Sequence, residues 1–214
     1  MHTPSAIDYA AFRAAAKLIA VRRSIRRYAP EAIAPEFVGE LLRCAVNAPS
    51  AHNRQPWRFA VVHDPGLKAG LARAMGERLR ADRLRDGNAA KAVEADVERS
   101  YRRITAAPVV VVVAATTLDM DVYPDPRRRE AEYLMAVQST AMAAQNLLLA
   151  AHSAGLAACW MCAPLFCPDT VRAVMALPAD WQPQAIITLG VPAAQGKLYS
   201  RRPLEEVVRR VESA

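Results

Sequence analysis

The most uniform hydrophobic stretch of the chain, PVVVVVAAT at 108–116, carries β-branched residues at consecutive positions with no polar interruption. Alternating polarity would mark a strand with one wet face; this continuity predicts a central strand covered on both faces. Shorter apolar runs predict further strands: WRFAVVHD at 57–64, closed by Asp64-Pro65-Gly66, then LAACWM at 156–161 and QAIITLG at 184–190. Between them the pattern turns helical. Residues 8–21 form an Ala-rich helix, and 34–50 a second one that opens on Pro35 and Glu36 and ends at Asn47–Pro49. Two highly charged helices follow at 67–86 and 89–105, split at Gly87-Asn88. A polar link with Pro124 and Pro126 leads into a long helix at 130–153 that stops before Gly155. A short helix at 169–175 and a tail beginning as loop and ending in a short helix complete the reading. With no internal repeat, the pattern describes an α+β protein, a few-stranded sheet sandwiched by helices, in one domain over 1–214.

Composition narrows the class. A chain of 214 residues buries about 70% of its unfolded surface and needs no disulfides. The net charge of +7 comes mostly from arginine, which suits anionic ligands. The bases are interleaved with acids, which argues against nucleic acid as a partner. LMAVQSTAMAAQNLLLAA at 134–151 contains Gln138, Ser139, Thr140, Gln145 and Asn146, groups that are costly in lipid. It reads as a helix buried on several sides and lying at a subunit contact; no transmembrane segment is expected. The N-terminal AAFRAAAKLIAVRR, broken by Arg13 and Lys17, lacks a signal-peptide core, so a cytoplasmic location with reduced thiols is the expectation. Cys159 and Cys162 have C-x-x-C spacing with Cys167 nearby. No second pair stands at zinc-site distance, and the motif ends a strand instead of opening a helix. All three are read as packing thiols, with no metal.

The sequences G-x-G-x-x-G, G-x-x-x-x-G-K-[ST], H-E-x-x-H and G-x-S-x-G are absent. That removes the usual dinucleotide and P-loop readings and the common hydrolase signatures. His63 and His152 lack a Ser or Cys partner and read as surface or satisfied histidines. The charged helices at 67–105 alternate acids and bases like a solvated face, and are also a candidate flap over a pocket. Two stretches stand apart. NAPSAHNRQPWRF at 47–59 crowds Pro49, Ser50, His52, Asn53 and Gln55 between a helix and a strand, the composition of a binding loop. VRRSIRRYAP at 21–30 sets Arg22, Arg23, Arg26 and Arg27 around Ser24 and Ile25. If 21–28 turns out of the first helix, Arg22 and Arg26 converge with Ser24 on a phosphate. A solvated basic patch and a nucleic-acid arm are the other readings these residues leave open.

Taken together the stretches resemble the flavin-dependent nitroreductase family. Its Arg-Arg-Ser-x-Arg-x-aromatic opening is matched by Arg22, Arg23, Ser24, Arg26 and Tyr28. Its Ala-Pro-Ser…Asn-x-Gln-Pro-Trp-x-Phe loop is matched by Ala48, Pro49, Ser50, Asn53, Gln55, Pro56, Trp57 and Phe59, its Gly-Leu by Gly155 and Leu156, and its terminal Arg by Arg201. The resemblance implies a three-layer α/β/α sandwich with a mixed sheet flanked by helices, forming an intertwined homodimer with FMN at the subunit interface. Arg22, Ser24 and Arg26 would hold the phosphate, ribityl chain and ring edge, with Arg201 adding to the phosphate and Arg23 reaching the ring edge or ribityl. The loop with Pro49, Ser50, Asn53 and Gln55 would reach the partner's flavin, and the backbone at Gly155, Leu156 and Ala157 would lie along the ring. His52 is the candidate substrate contact, and no side chain is expected to act as catalytic acid or base.

The implied activity is hydride transfer from NADH or NADPH through FMN to a nitroaromatic, quinone or conjugated alkene. Within the family, ACWMCAPLFCPDTVR and LPADWQPQAIITLGVP are most similar to the domain fused to the ligase of deazaflavin coenzyme biosynthesis, which reduces a coenzyme precursor; the ligase half is absent here. A non-catalytic flavin or deazaflavin carrier is the reading from another class. The flavin-cleaving enzymes that make the lower ligand of cobalamin share the first motif but carry a Gly in the loop where His52-Asn53 stand.

Overall fold

Strand β2 (Val109–Ala115) is buried along its whole length and runs through the middle of the sheet. β1 (Trp57–Val62) and β4 (Gln182–Gly190) flank it, and β3 (Ala157–Met161) lies outside β4, giving the order β1-β2-β4-β3. The computed structural model describes residues 7–211. Every strand pair is antiparallel, with Val61 opposite Val111, Val111 opposite Ile187 and Cys159 opposite Thr188. Parallel pairing is confined, among the described residues, to the single bridge between Ser24 and Ala158. The expected mixed sheet is thus an antiparallel one whose outer edge carries that bridge.

The uninterrupted valines are explained by the two layers they face. Val109, Val111 and Val113 pack with α2 (Pro35–Ala45) and α5 (Pro126–Ser153). Val110 and Val112 pack instead with Leu71 and Met75 of α3 (Pro65–Arg85), Ile104 of α4 (Ala90–Thr105) and Val171 of α6 (Pro168–Val174). This is the α/β/α sandwich, α+β in class. The distal parts of α3 and α4 are tied by Arg80, whose Nε and Nη2 donate to the two oxygens of Glu94 at 2.6 and 2.8 Å, and by the Arg83–Asp96 pair.

Two helices begin earlier than their periodicity suggested, for one reason. The Asp64 carboxylate accepts the Leu67 N–H at 2.7 Å, and that of Asp125 accepts the Arg128 N–H at 2.9 Å. In each case the following proline fills the first turn, where its missing N–H costs nothing. Asp-Pro therefore opens a helix at both places where it was read as a turn or a link. Helix α5 buries Ala136, Thr140, Ala143, Ala144, Leu147 and Ala151, but Leu134 and Met142 on its other side are 53% and 41% exposed. Within one chain it is buried on one side, and the exposed side is the one expected at a subunit contact. By length and composition α5 is long and apolar enough to cross a membrane, and it lies against α2 and the sheet. Helix α1 (Tyr9–Val21) buries no residue at all.

Candidate functional site

After α1 the chain runs extended, where a turn was expected, and is held to the sheet at each end. The Arg22 N–H caps α1 on the Leu18 carbonyl at 3.3 Å. Two residues on, Ser24 bridges Ala158 and the Ile25 N–H donates to the Ala158 carbonyl at 3.3 Å, which fastens the segment to the β3 edge. Tyr28 fixes the far end: its hydroxyl donates to the Ile25 carbonyl at 2.9 Å and shares a 2.6 Å hydrogen bond with Thr188 Oγ1. The tail after β4 then runs beside it, through Ala29 N–H to Val191 O at 2.9 Å and Ala193 N–H to Arg27 O at 3.0 Å.

Extended backbone alternates its side chains, so Arg22, Ser24 and Arg26 share one side. Arg26, Arg103 of α4 and Arg22 all act on the Cys159 thiol: burial pushes it up, and these three cations oppose that shift. The guanidinium of Arg103 is itself held below its ordinary range by burial, and next by repulsion from Arg26 and Arg99. Among the described residues none of Arg22, Arg26, Arg27 and Arg103 pairs with a carboxylate. Ser24, Arg26 and Arg103 line a pocket of about 380 Å3 whose opposite wall is the tail at Gln195, Gly196, Lys197 and Tyr199. Cations gathered this way without acids suit an anionic ligand.

Arg23 points elsewhere. Its Nη1 donates to the carbonyls of Ala20 and Arg22 at 2.7 and 2.8 Å, and its Nε is buried with no partner among the described residues. A Cβ on Gly196 would collide with the Cβ of Arg23 and stand 2.7 Å from its Cγ. Glycine at 196 is what lets the tail lie this close.

The binding loop has its own architecture. His52, Asn53 and Gln55 have φ of 50°, 55° and 50°, left-handed values that cost non-glycine residues about 1–3 kcal/mol each. Ser50 Oγ closes the loop by accepting the Gln55 N–H at 3.0 Å, and Ser139 Oγ of α5 holds it by accepting the Ala51 N–H at 3.2 Å. Pro49, His52, Asn53 and Gln55 are exposed.

Residues 19–191 match the nitroreductase family model. The chain belongs to the nitroreductase family. It is 34% identical over 211 residues to a Thermus thermophilus protein named NADH dehydrogenase, covering 87% of this chain and 91% of that one. It is 32% identical over 210 residues to 5,6-dimethylbenzimidazole synthase of Rhodospirillum rubrum, covering 88% and 90%. A candidate nitroreductase of Desulfovibrio desulfuricans, solved in complex with FMN, is 27% identical with a TM-score of 0.70 over the full length of both chains. As a member of the nitroreductase family the protein is an oxidoreductase. None of the three relatives is named for the ligase-linked deazaflavin branch, and they give that finer resemblance no support.

Within this nitroreductase-family fold the predicted residues separate into two groups. Ser24 bridges Ala158 of β3, the strand that opens at Ala157 directly after Gly155 and Leu156, and Arg22 and Arg26 act on its Cys159. Gly155, at φ 75°, ends α5 with the Leu156 N–H returning to the Ala151 carbonyl at 2.9 Å. The loop at 49–55 is attached to α5 and has no described contact with the arginines. Arg201 is exposed, its Nη1 donating to the Ser200 carbonyl. Arg103 escaped the sequence reading because it sits among the many charges of α4, and Gln195, Gly196, Lys197 and Tyr199 because no motif marks the tail. The cysteines need a correction: Cys159 and Cys167 are buried, but Cys162 is exposed, its sulphur accepting the Trp160 indole N–H at 2.8 Å. Packing therefore accounts for only two of the three.

Proposed function

We propose that the protein is an FMN-dependent NAD(P)H oxidoreductase. The observation that carries this reading is the half-buried arginine group, unpaired among the described residues, beside the β3 edge. Desolvating several guanidiniums with no acid among them is unfavourable until an anion accepts their hydrogen bonds. A phosphate monoester with a polyol chain fits the pocket's mixture of cations, the Ser24 hydroxyl and backbone groups. FMN, when bound, supplies hydride transfer between NADH or NADPH and an acceptor such as a nitroaromatic, quinone or conjugated alkene. Arg22, Ser24 and Arg26 bind and orient it, Arg103 adds positive charge on the same side, and Arg201 reaches the phosphate. Positive charge at the ring edge favours electron density arriving there. The backbone at Gly155, Leu156 and Ala157 lies along the ring. Pro49, Ser50, Asn53 and Gln55 meet the flavin of a second subunit, with His52 toward substrate. A second copy is supported by the apolar side of α1, where Tyr9, Phe12 and Ile19 are 60%, 64% and 59% exposed.

A second reading comes from the 32% identity to 5,6-dimethylbenzimidazole synthase: the flavin is consumed. The missing loop glycine is a weaker objection once His52 and Asn53 are seen to hold the left-handed conformation that glycine adopts freely. The test is to purify the protein, record its flavin spectrum and follow anaerobic bleaching by NADH and by NADPH. Retained FMN, recovered intact after many turnovers, is the expected result; stoichiometric loss of flavin favours the second reading, and absence of bleaching a carrier. Arg22→Ala and Arg26→Ala are expected to lose FMN while remaining folded and dimeric. Full flavin occupancy in both variants would place the phosphate elsewhere.

A further inference from the structure

The anion pocket has a neighbour that one flavin phosphate does not explain. This second lobe measures about 600 Å3 and is lined by Arg26, Arg27, Tyr28, Arg99, Arg102 and Arg103. Arg26, Arg27 and Arg103 border both lobes, so the two are parts of one groove. Arg99, Arg102 and Arg103 stand at i, i+3 and i+4 on α4 and therefore share one helix face. The acids nearest them are on the same helix: Asp96 pairs with Arg99, and also with Arg83, while Glu98 pairs with Arg102 at 3.3 Å. Among the described residues five guanidiniums thus meet two carboxylates, and Asp96 is shared with a cation outside the groove. Burial and the repulsion of Arg26 and Arg99 both press on Arg103, a strain that a second anion relieves.

We infer that this second lobe is a subsite for a phosphate monoester carried by the hydride donor, the 2′-phosphate of NADPH. The inference rests on the flavin reading of the first lobe. NADH and NADPH differ in this one group, which carries about −1.5 to −2 charges and offers three acceptor oxygens. Each guanidinium presents two parallel donors, so Arg99 and Arg102 together match such a group. A carboxylate on the acceptor would bring a single charge to the same place, and it is the competing source.

The test uses the FMN-loaded protein and compares kcat/KM for NADPH and NADH in wild type and in an Arg99→Gln/Arg102→Gln variant. Both side chains are largely solvent-facing, 49% and 70% exposed, so the fold is expected to survive. The loss expected for NADPH is at least about tenfold, the size of one or two charge-assisted hydrogen bonds. NADH turnover and bound-flavin absorbance should stay level. Added salt should erode the NADPH preference of wild type and leave the variant flat. Calorimetry supplies a readout independent of turnover: adenosine 2′-phosphate should bind wild type, and bind the variant weaker by a similar factor, with adenosine as the blank.

Equal kcat/KM for the two nucleotides in wild type, or equal losses for both in the variant, would overturn the assignment. So would a variant that keeps NADPH but loses turnover of nitrobenzoate relative to nitrobenzamide, because the anion would then belong to the acceptor. Protein that takes up no flavin yet binds adenosine 2′-phosphate through Arg99 and Arg102 would sink the flavin reading and leave the subsite supported.

Discussion

Gly190, the last residue of β4, lies where two other parts of the chain close on it. A Cβ placed there would stand 2.6 Å from Cδ1 of Tyr28 and 2.7 Å from Cδ of Pro108. Both are about 1 Å inside the roughly 3.5–4.0 Å of carbon–carbon contact. Neither neighbour can yield freely: the Tyr28 ring is fastened at its hydroxyl to Thr188 Oγ1 and the Ile25 carbonyl, and Pro108 leads directly into buried β2. Overpacking by a methyl group costs about 1–3 kcal/mol. With two obstructed directions Gly190→Ala should lose about 2 kcal/mol, which in a chain of this length lowers Tm by about 4–8 °C. Because the pressure falls on Tyr28, it displaces the arginine segment as well, so FMN affinity should drop with stability. Thermal melts by far-UV circular dichroism and flavin fluorescence titration measure the two effects. Gly39→Ala is the control: nothing among the described residues lies within 4 Å of its Cβ position, and alanine inside α2 is worth up to about 1 kcal/mol over glycine. If Gly190→Ala melts within about 1 °C of wild type, or Gly39→Ala falls as far, the steric reasoning fails.

Two further changes probe the same scaffold. Tyr28→Phe should cost about 1–3 kcal/mol by leaving the Ile25 carbonyl and Thr188 hydroxyl short of a partner, and it should alter the alkaline limb of stability. Burial pushes the folded phenol above its ordinary 10.0, so the unfolded chain releases this proton first. The contribution is whole below pH 10 and declines as pH rises beyond it; urea melts above pH 10 should show a shallower decline in the Phe variant, and parallel slopes would refute this. Gly155→Ala should cost about 1–2 kcal/mol purely through backbone conformation, since φ is 75° and no atom of the described residues lies within 4 Å of the added methyl. Gly155→Asn should recover part of that loss in the same melts, and an Asn variant as unstable as the Ala one would point to a steric cause.

The sequence was most informative where one physical demand acted over many consecutive residues. β2 could be read from PVVVVVAAT because burial on both faces leaves no polar position. Gly87 could be read as the break between α3 and α4 because a left-handed residue, here at φ 79°, ends a helix cheaply. Asp64-Pro65 and Asp125-Pro126 were misread because an Asp-Pro pair serves equally as a turn and as a helix cap, and only the carboxylate's partner tells which. The candidate site was legible in part. Arg22, Ser24 and Arg26 stood out by density, but their meeting with β3 is a pairing between distant segments that no local pattern encodes. Arg103 is chemically the same as the solvated arginines around it, and only packing distinguishes it.

Nearly every anchor of the arginine segment lies late in the chain: Ala158, Thr188, Val191, Ala193 and Gly196. Tyr28 and Thr188 are 160 residues apart. At about 5–20 residues per second the ribosome makes Tyr28 some 8–30 s before its partner exists. Throughout that interval the emerging chain carries a cluster of bare arginines with nothing to dock on, followed by α2, β1 and the α3–α4 pair. If FMN binds at the arginine segment as proposed, its capture is consequently among the last events of biosynthesis, and a chain released before residue 196 could build most of its sheet yet leave the pocket without its outer wall.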